Sequence, residues 1–103
     1  MPRKSTKSAS GESRLKQLRQ ASSLLKLISD PNRLLILLML ADGELSGISI
    51  CEALNVSYPA VKYHLAMLRF GGGVLSQRQG TQVFYGLTEI GEVLARVAKV
   101  LTG

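Results

Sequence analysis

One cysteine, one histidine and seven side-chain carboxylates are few for a chain of 103 residues, and each scarcity narrows the classes of function. A single thiol cannot close an intramolecular disulfide and suits a reducing compartment. Cys51 and His64 give no zinc-finger spacing, and they stand on adjoining predicted helices with Cys51 on the inner side, a poor nucleophile and base pair. An enzyme needs a nucleophile with a base, a metal, or a carboxylate pair in a cleft, whereas the acids here are scattered over helix surfaces. No enzymatic activity and no cofactor are therefore expected. A phosphate cradle requires a Gly-rich loop ahead of a helix; Gly71 to Gly73 follows a helix and leads to a strand. The longest apolar run, Leu34 to Ala41, is far short of the roughly 20 residues that span a membrane. Met1 is followed by a polar, basic stretch without the apolar segment of a secretory leader, so a cytoplasmic location and no membrane partner are expected. Internal repeats are absent.

Positive charge is what the chain has in excess. The formal charge is +6, and residues 1–26 carry seven Lys or Arg against the single acid Glu12, while the rest carries six of each sign. The whole excess thus belongs to the N-terminal segment. Met1 to Gly11, small, polar and basic, is expected to be a disordered arm, with residues 12–103 as one folded domain. Arg3, Lys4 and Lys7 either steer the protein toward a polyanion or simply keep it in solution.

From Glu12 the pattern turns helical, with Leu15, Leu18, Leu25 and Ile28 in one stripe and Leu24 beside it. Ser29-Asp30-Pro31 breaks that helix and starts another, Asp30 as cap and Pro31 at the first helical position. Leu34 to Ala41 is apolar on every side and should lie at the centre of the fold, with Asp42-Gly43 ending it. Then comes SGISICEALNVSYPAVKYHLAMLRF. Ile50, Ala53 and Leu54 fit the inner face of one helix, and Val61, Leu65 and Leu68 that of a second. Between them Asn55 tolerates a left-handed backbone, Val56 tucks under the corner, Ser57 caps the next helix and Pro59 is confined to its first turn. This is a helix-turn-helix. The outward positions of its second helix, Ser57, Tyr58, Ala60, Lys62, Tyr63 and His64, offer donors, a cation and ring faces without an acid, which suits a major groove.

Three glycines, Gly71 to Gly73, stop that helix. Val74 to Arg78 and Gln82 to Tyr85 are β-prone runs around Gln79-Gly80-Thr81, predicting a two-stranded hairpin with Arg78 and Gln79 near its tip, where they reach DNA phosphates or a minor groove. Thr88 caps a last helix, with Glu89 at its positive end. Its stripe of Ile90, Val93, Leu94, Val97, Val100 and Leu101 is too wide for a solvated helix. The expected fold is mainly α with a small β-hairpin: about five helices and a two-stranded wing.

In the order and spacing of LLKLISDPNRLLILLMLADGELS, LNVSYPAVKYHLAMLR and GVLSQRQGTQVFYGLTEIG, the chain resembles the ArsR/SmtB-type winged-helix repressors over about Leu24 to Gly91. The resemblance implies a homodimer that binds double-stranded operator DNA and is often released by a ligand. It also implies that the terminal helices pair across a two-fold axis, which assigns Leu15, Leu18, Leu25, Ile90, Leu94, Val97 and Leu101 to the dimer interface; the alternative is that both helices fold back on their own subunit. The metal-sensing half of the pattern fails. Where many relatives place a cysteine pair, Ser46 to Ser49 hold no thiol, and the last helix has Glu89 and Glu92 but no histidine, so no metal is expected. Relatives often carry a histidine at the place of His64, which implies a groove or phosphate contact, against a satisfied half-buried ring. Cys51 sits where this motif packs small residues, with redox sensing as the alternative. Arg69 and Arg33 are further phosphate candidates, though Arg33 could equally pair with Asp30 or Asp42. Two rival functions remain beside that of an operator-binding regulator: a winged-helix protein-interaction module, and a non-specific or single-strand nucleic-acid binder.

Overall fold

The computed structural model describes the chain from Arg3 to Gly103, with side chains from Gly11 onward. Its first helix, α1 (Arg3–Leu27), starts well before Glu12 and runs through the segment expected to be a disordered arm. Nothing between Arg3 and Leu27 breaks a helix: Gly11 alone costs only about 1 kcal/mol, and extension adds one hydrogen bond per residue to a helix anchored downstream. The anchor is Leu24, Leu27 and buried Ile28. The side chains of Arg3, Lys4 and Lys7 lie outside the described residues.

The core is built on α2 (Pro31–Leu40). Asp30 stands at its N-cap with extended backbone, and its Oδ1 accepts from the N–H groups of Asn32 at 2.8 Å and Arg33 at 3.1 Å. Ile36, Leu37 and Leu40 are buried, but Leu35 stays 42% exposed, so the helix is central without being covered all round. A short strand, β1 (Leu45–Ser46), comes next, and Ser46 caps α3 (Gly47–Leu54) by accepting from Ser49 N–H at 3.1 Å. Asn55 closes α3 in the left-handed region at φ 56°, Val56 packs against the core, and Ser57 caps α4 (Tyr58–Phe70) through Ala60 N–H at 3.3 Å. Every residue of the predicted turn thus has its expected place. Ile50, Val61, Leu65 and Leu68 are buried, while Ala53, assigned to the inner face, is exposed.

The hairpin pairs β2 (Val74–Gln79) with β3 (Gln82–Leu87), Gln79 opposite Gln82 across Gly80-Thr81. Gly80, first of the two loop residues with φ 66°, meets the demand of a type II′ connection. The sheet has three strands rather than two, in the order β1-β3-β2, with Leu45 opposite Tyr85 and Ser46 opposite Phe84. Side chains alternate across it: Val74, Ser76 and Arg78 share one face with Val83, Tyr85 and Leu87.

Thr88 fastens the wing root to α5 (Glu89–Thr102). Its hydroxyl accepts from Gly91 N–H at 2.9 Å and donates to Gly72 carbonyl at 2.6 Å, and its N–H donates to Gly73 carbonyl at 3.1 Å. A Cβ on Gly91 would overlap the Gly73 carbonyl oxygen, so only glycine permits this approach. Leu94, Ala95 and Ala98 of α5 are buried among the core residues of the same subunit. No helix among the described residues is long and apolar enough to cross a membrane.

Candidate nucleic-acid interface

Since Val61, Leu65 and Leu68 hold one side of α4 in the core, the opposite side must face out. Tyr58 is 52% and Tyr63 59% exposed, Ser57 and Lys62 are exposed, and Ala60 is half-buried. The Lys62 ammonium lies 5.7 Å from the centroid of the Tyr58 ring, one turn earlier, so cation and ring present a joint surface. No acidic residue interrupts α4. Arg78 and Gln79 are exposed at the end of β2, beside the loop.

His64 is the correction to that face. It is only 8% exposed, with its Nδ1 3.1 Å from an Arg33 Nη1 and its ring edge-on to Tyr63 at 5.7 Å. At 3.6 residues per turn it falls on the flank shared with Val61, Leu65 and Leu68, so the groove contact is not open to it; the satisfied-ring alternative describes what is found. Guanidinium carries no acceptor, so the contact makes Nδ1 the acceptor of the pair. Arg33 is committed inward as well, its Nε donating to Leu27 carbonyl at 2.6 Å. It thereby ties α1, α2 and α4 at one corner and is not the free phosphate contact it was a candidate for.

Asp30 completes this corner, 4.0 Å from His64 Nδ1. Burial pushes its carboxyl upward, but the N–H bonds from Arg33 and Asn32 and then the nearby His64 and Arg33 outweigh that and hold it below the usual carboxylate range. Cys51 is half-buried against the core, its Sγ 3.4 Å from Val56 carbonyl, which fits a packing role. Among the described residues no three His, Cys, Asp or Glu side chains gather where a metal could be held.

Between α4 and the wing runs an open cleft of about 320 Å³ whose walls include Lys62 and Arg69 on the helix and Ser76, Arg78 and Tyr85 on the sheet. Ser76 was not among the sequence candidates. The signal was available, because period-two alternation in β2 puts Ser76 on the face of Arg78. Elsewhere on the surface Leu15, Leu18, Leu25, Phe70, Ile90, Val93, Val100 and Leu101 are all exposed. Of the residues assigned to the dimer interface, Leu94 is only 4% exposed and so is spent on the subunit's own core, and Val97 is half-buried against the same core. The α5 stripe is wide because it has two jobs, one edge closing the subunit's own core and the other left open.

Comparison with known proteins places this geometry. A family description, "Bacterial regulatory protein, arsR family", matches residues 30–72, from the Asp30 cap to the wing root. The arsenical resistance operon repressor of Escherichia coli (strain K12) is 39% identical over 79 residues, which is 76% of this chain and 66% of that repressor, so the chain spans just under two thirds of it. The structure of reduced HlyU from Vibrio cholerae superposes with a TM-score of 0.80 at 33% identity, covering 87% of this chain and 96% of that one. A homodimeric winged helix-turn-helix DNA-binding domain from Mycobacterium bovis gives a TM-score of 0.73 at 29% identity over 86% and 81% of the two chains.

Proposed function

The chain belongs to the ArsR family of bacterial regulatory proteins, and from that premise we propose that it is a sequence-specific, double-stranded DNA-binding transcriptional repressor acting as a homodimer. The observation that carries this reading is the exposed, acid-free face of α4 beside a wing with a basic end. Ser57, Tyr58, Ala60, Lys62 and Tyr63 enter the major groove, and Arg78 and Gln79 meet the backbone or minor groove. Arg3, Lys4 and Lys7 add sequence-independent attraction. Dimerisation through α1 and the free edge of α5 is supported by the exposed leucines there and by the homodimeric relative; repression is supported by the arsenical operon repressor. The protein works where the operator is, in the cytoplasm. No transition metal is assigned to its control, since Ser46 to Ser49 offer no thiolate and Glu89 and Glu92 no imidazole partner.

Selection of genomic fragments on the immobilised protein, followed by footprinting, tests the proposal. We expect a partly palindromic sequence with half-sites about one helical turn apart. With about 6 to 10 phosphates neutralised, affinity falls roughly a thousandfold or more between 50 and 200 mM salt, and Lys62→Ala weakens binding. Recovery of random fragments would sink sequence specificity, and equal affinity at both salts would sink the mechanism.

A further inference from the structure

We propose that the cleft between α4 and the wing is a phosphodiester seat, with Arg69 as its central ligand, in which one backbone strand of the duplex is gripped between the helix and the hairpin. This rests on the DNA-binding function proposed above and adds a site to it.

The cleft follows from two periodicities. Lys62, Leu65 and Arg69 recur at helical spacing along the side of α4 that looks toward the sheet, and Ser76 and Arg78 alternate along the facing side of β2. Leu65, 2% exposed, is the floor, so cationic walls rise from an apolar base and their charge is concentrated toward the opening. No carboxylate lines the cleft, and among the described residues no Lys or Arg is ion-paired with an acid. Three cations from two separate elements therefore line one cleft with no carboxylate beside them, a surface that favours an anion.

Arg69 is already oriented. Its Nη1 donates to Ser76 Oγ at 3.2 Å, bridging the last turns of α4 to β2. That bond uses one of five guanidinium N–H donors and leaves the rest of the planar fork for the paired oxygens of a phosphate. The Ser76 hydroxyl accepts in this bond, so its own proton is free for the same anion. Lys62 and Arg78 stand on opposite walls as flanking point charges. A strand seated here would have α4 on one side, in the major groove, and the Arg78-Gln79 end of the wing on the other; the seat would thus fix the register of the helix without reading a base.

The test is a set of operator duplexes, each carrying one neutral methylphosphonate in place of one phosphate, titrated against the full chain and against Arg69→Gln, Arg69→Lys and Ser76→Ala. At one phosphate per half-site, neutralisation should cost the wild type about tenfold in affinity and cost Arg69→Gln nothing further. Arg69→Gln should also flatten the log-log salt slope by about 0.9 for each subunit bound, equally for operator and unrelated duplex, whereas Arg69→Lys keeps the slope and loses only part of the affinity. Ser76→Ala should leave the slope intact and weaken binding modestly. Thermal unfolding should be nearly unchanged in both Arg69 variants, because Arg69 is exposed. A protein that binds duplex with an unaltered slope and phosphate profile after Arg69→Gln overturns the seat alone. A wild type that binds no duplex overturns the DNA-binding function and the seat with it.

Discussion

At the start of α2 one carboxylate accepts two backbone N–H bonds at 2.8 and 3.1 Å and feels the nearby Arg33 charge, so Asp30 is both helix cap and local counter-charge. Asp30→Ala should cost about 1 kcal/mol at neutral pH, the usual worth of such a cap. The pH dependence has a definite sign. The folded carboxyl titrates below its unfolded value of 3.8, so its contribution is complete above that value and disappears as pH falls through the depressed folded one. Urea unfolding of wild type and Asp30→Ala should show a gap at pH 7 that narrows as the pH falls below the unfolded value of 3.8; a gap that widens in acid would contradict the assignment. His64 yields the opposite separation of stability from binding. Removing its ring leaves an Arg33 N–H without its partner inside the corner, so His64→Ala should lose about 1–3 kcal/mol of stability. Operator affinity per folded molecule should stay within about twofold, because a ring 8% exposed does not reach a groove. A tenfold loss of affinity with stability intact would return His64 to the interface.

Elements meet most tightly where the wing root crosses α5. The Gly73 carbonyl lies in the space a Gly91 side chain would take, and this carbonyl accepts from Thr88 N–H. Gly91→Ala must push two backbones apart, which no rotamer can absorb, and should cost about 1–3 kcal/mol despite the better helix propensity of alanine. Hydrogen exchange should show the Thr88 amide losing protection while the α2 amides keep theirs; uniform loss would mean a global effect. Local chemistry of this kind is what could be read from the chain in advance. Asp30, Asn55, Ser57 and Thr88 announce helix ends because a cap depends on two or three neighbours in sequence. What depends on partners far along the chain was hidden. β1 is two residues long and exists only because β3 offers an edge, so no alternation could reveal it. The resemblance implied a groove role for His64 and an interface role for Leu94, and the width of an apolar stripe alone does not say which edge its own core uses. The cleft beside Arg69 required both walls, 7 residues apart in sequence at its bridging bond, to be brought face to face by the glycine turn.

Taken as a whole, the subunit leaves a long helix poorly supported. α1 is 25 residues long, yet among its described side chains only Leu24 and Leu27, with Ile28 just past its end, lean on the core, and residues 11–23 are exposed. Such a helix owes its stability in water mainly to packing, and its Leu15, Leu18 and Leu25 remain 52, 51 and 58% exposed, together with Ile90, Val93 and Leu101 on α5. A second copy covering these faces accounts for both facts. A dimer would weigh twice 11.1 kDa in sedimentation equilibrium. Two substitutions separate interface from core. Leu18→Asp should give a folded monomer at micromolar concentration, with β-sheet and α2 to α5 intact, whereas Leu94→Asp, 4% exposed in the subunit's own core, should unfold it. Losing the dimer turns two linked half-site contacts into one, so operator affinity for Leu18→Asp should drop about a hundredfold or more, while each half-site still binds weakly. If Leu18→Asp stays dimeric and Leu94→Asp alone dissociates without unfolding, the α5 edge taken here as core is the true interface, and the exposed leucines of α1 serve another surface.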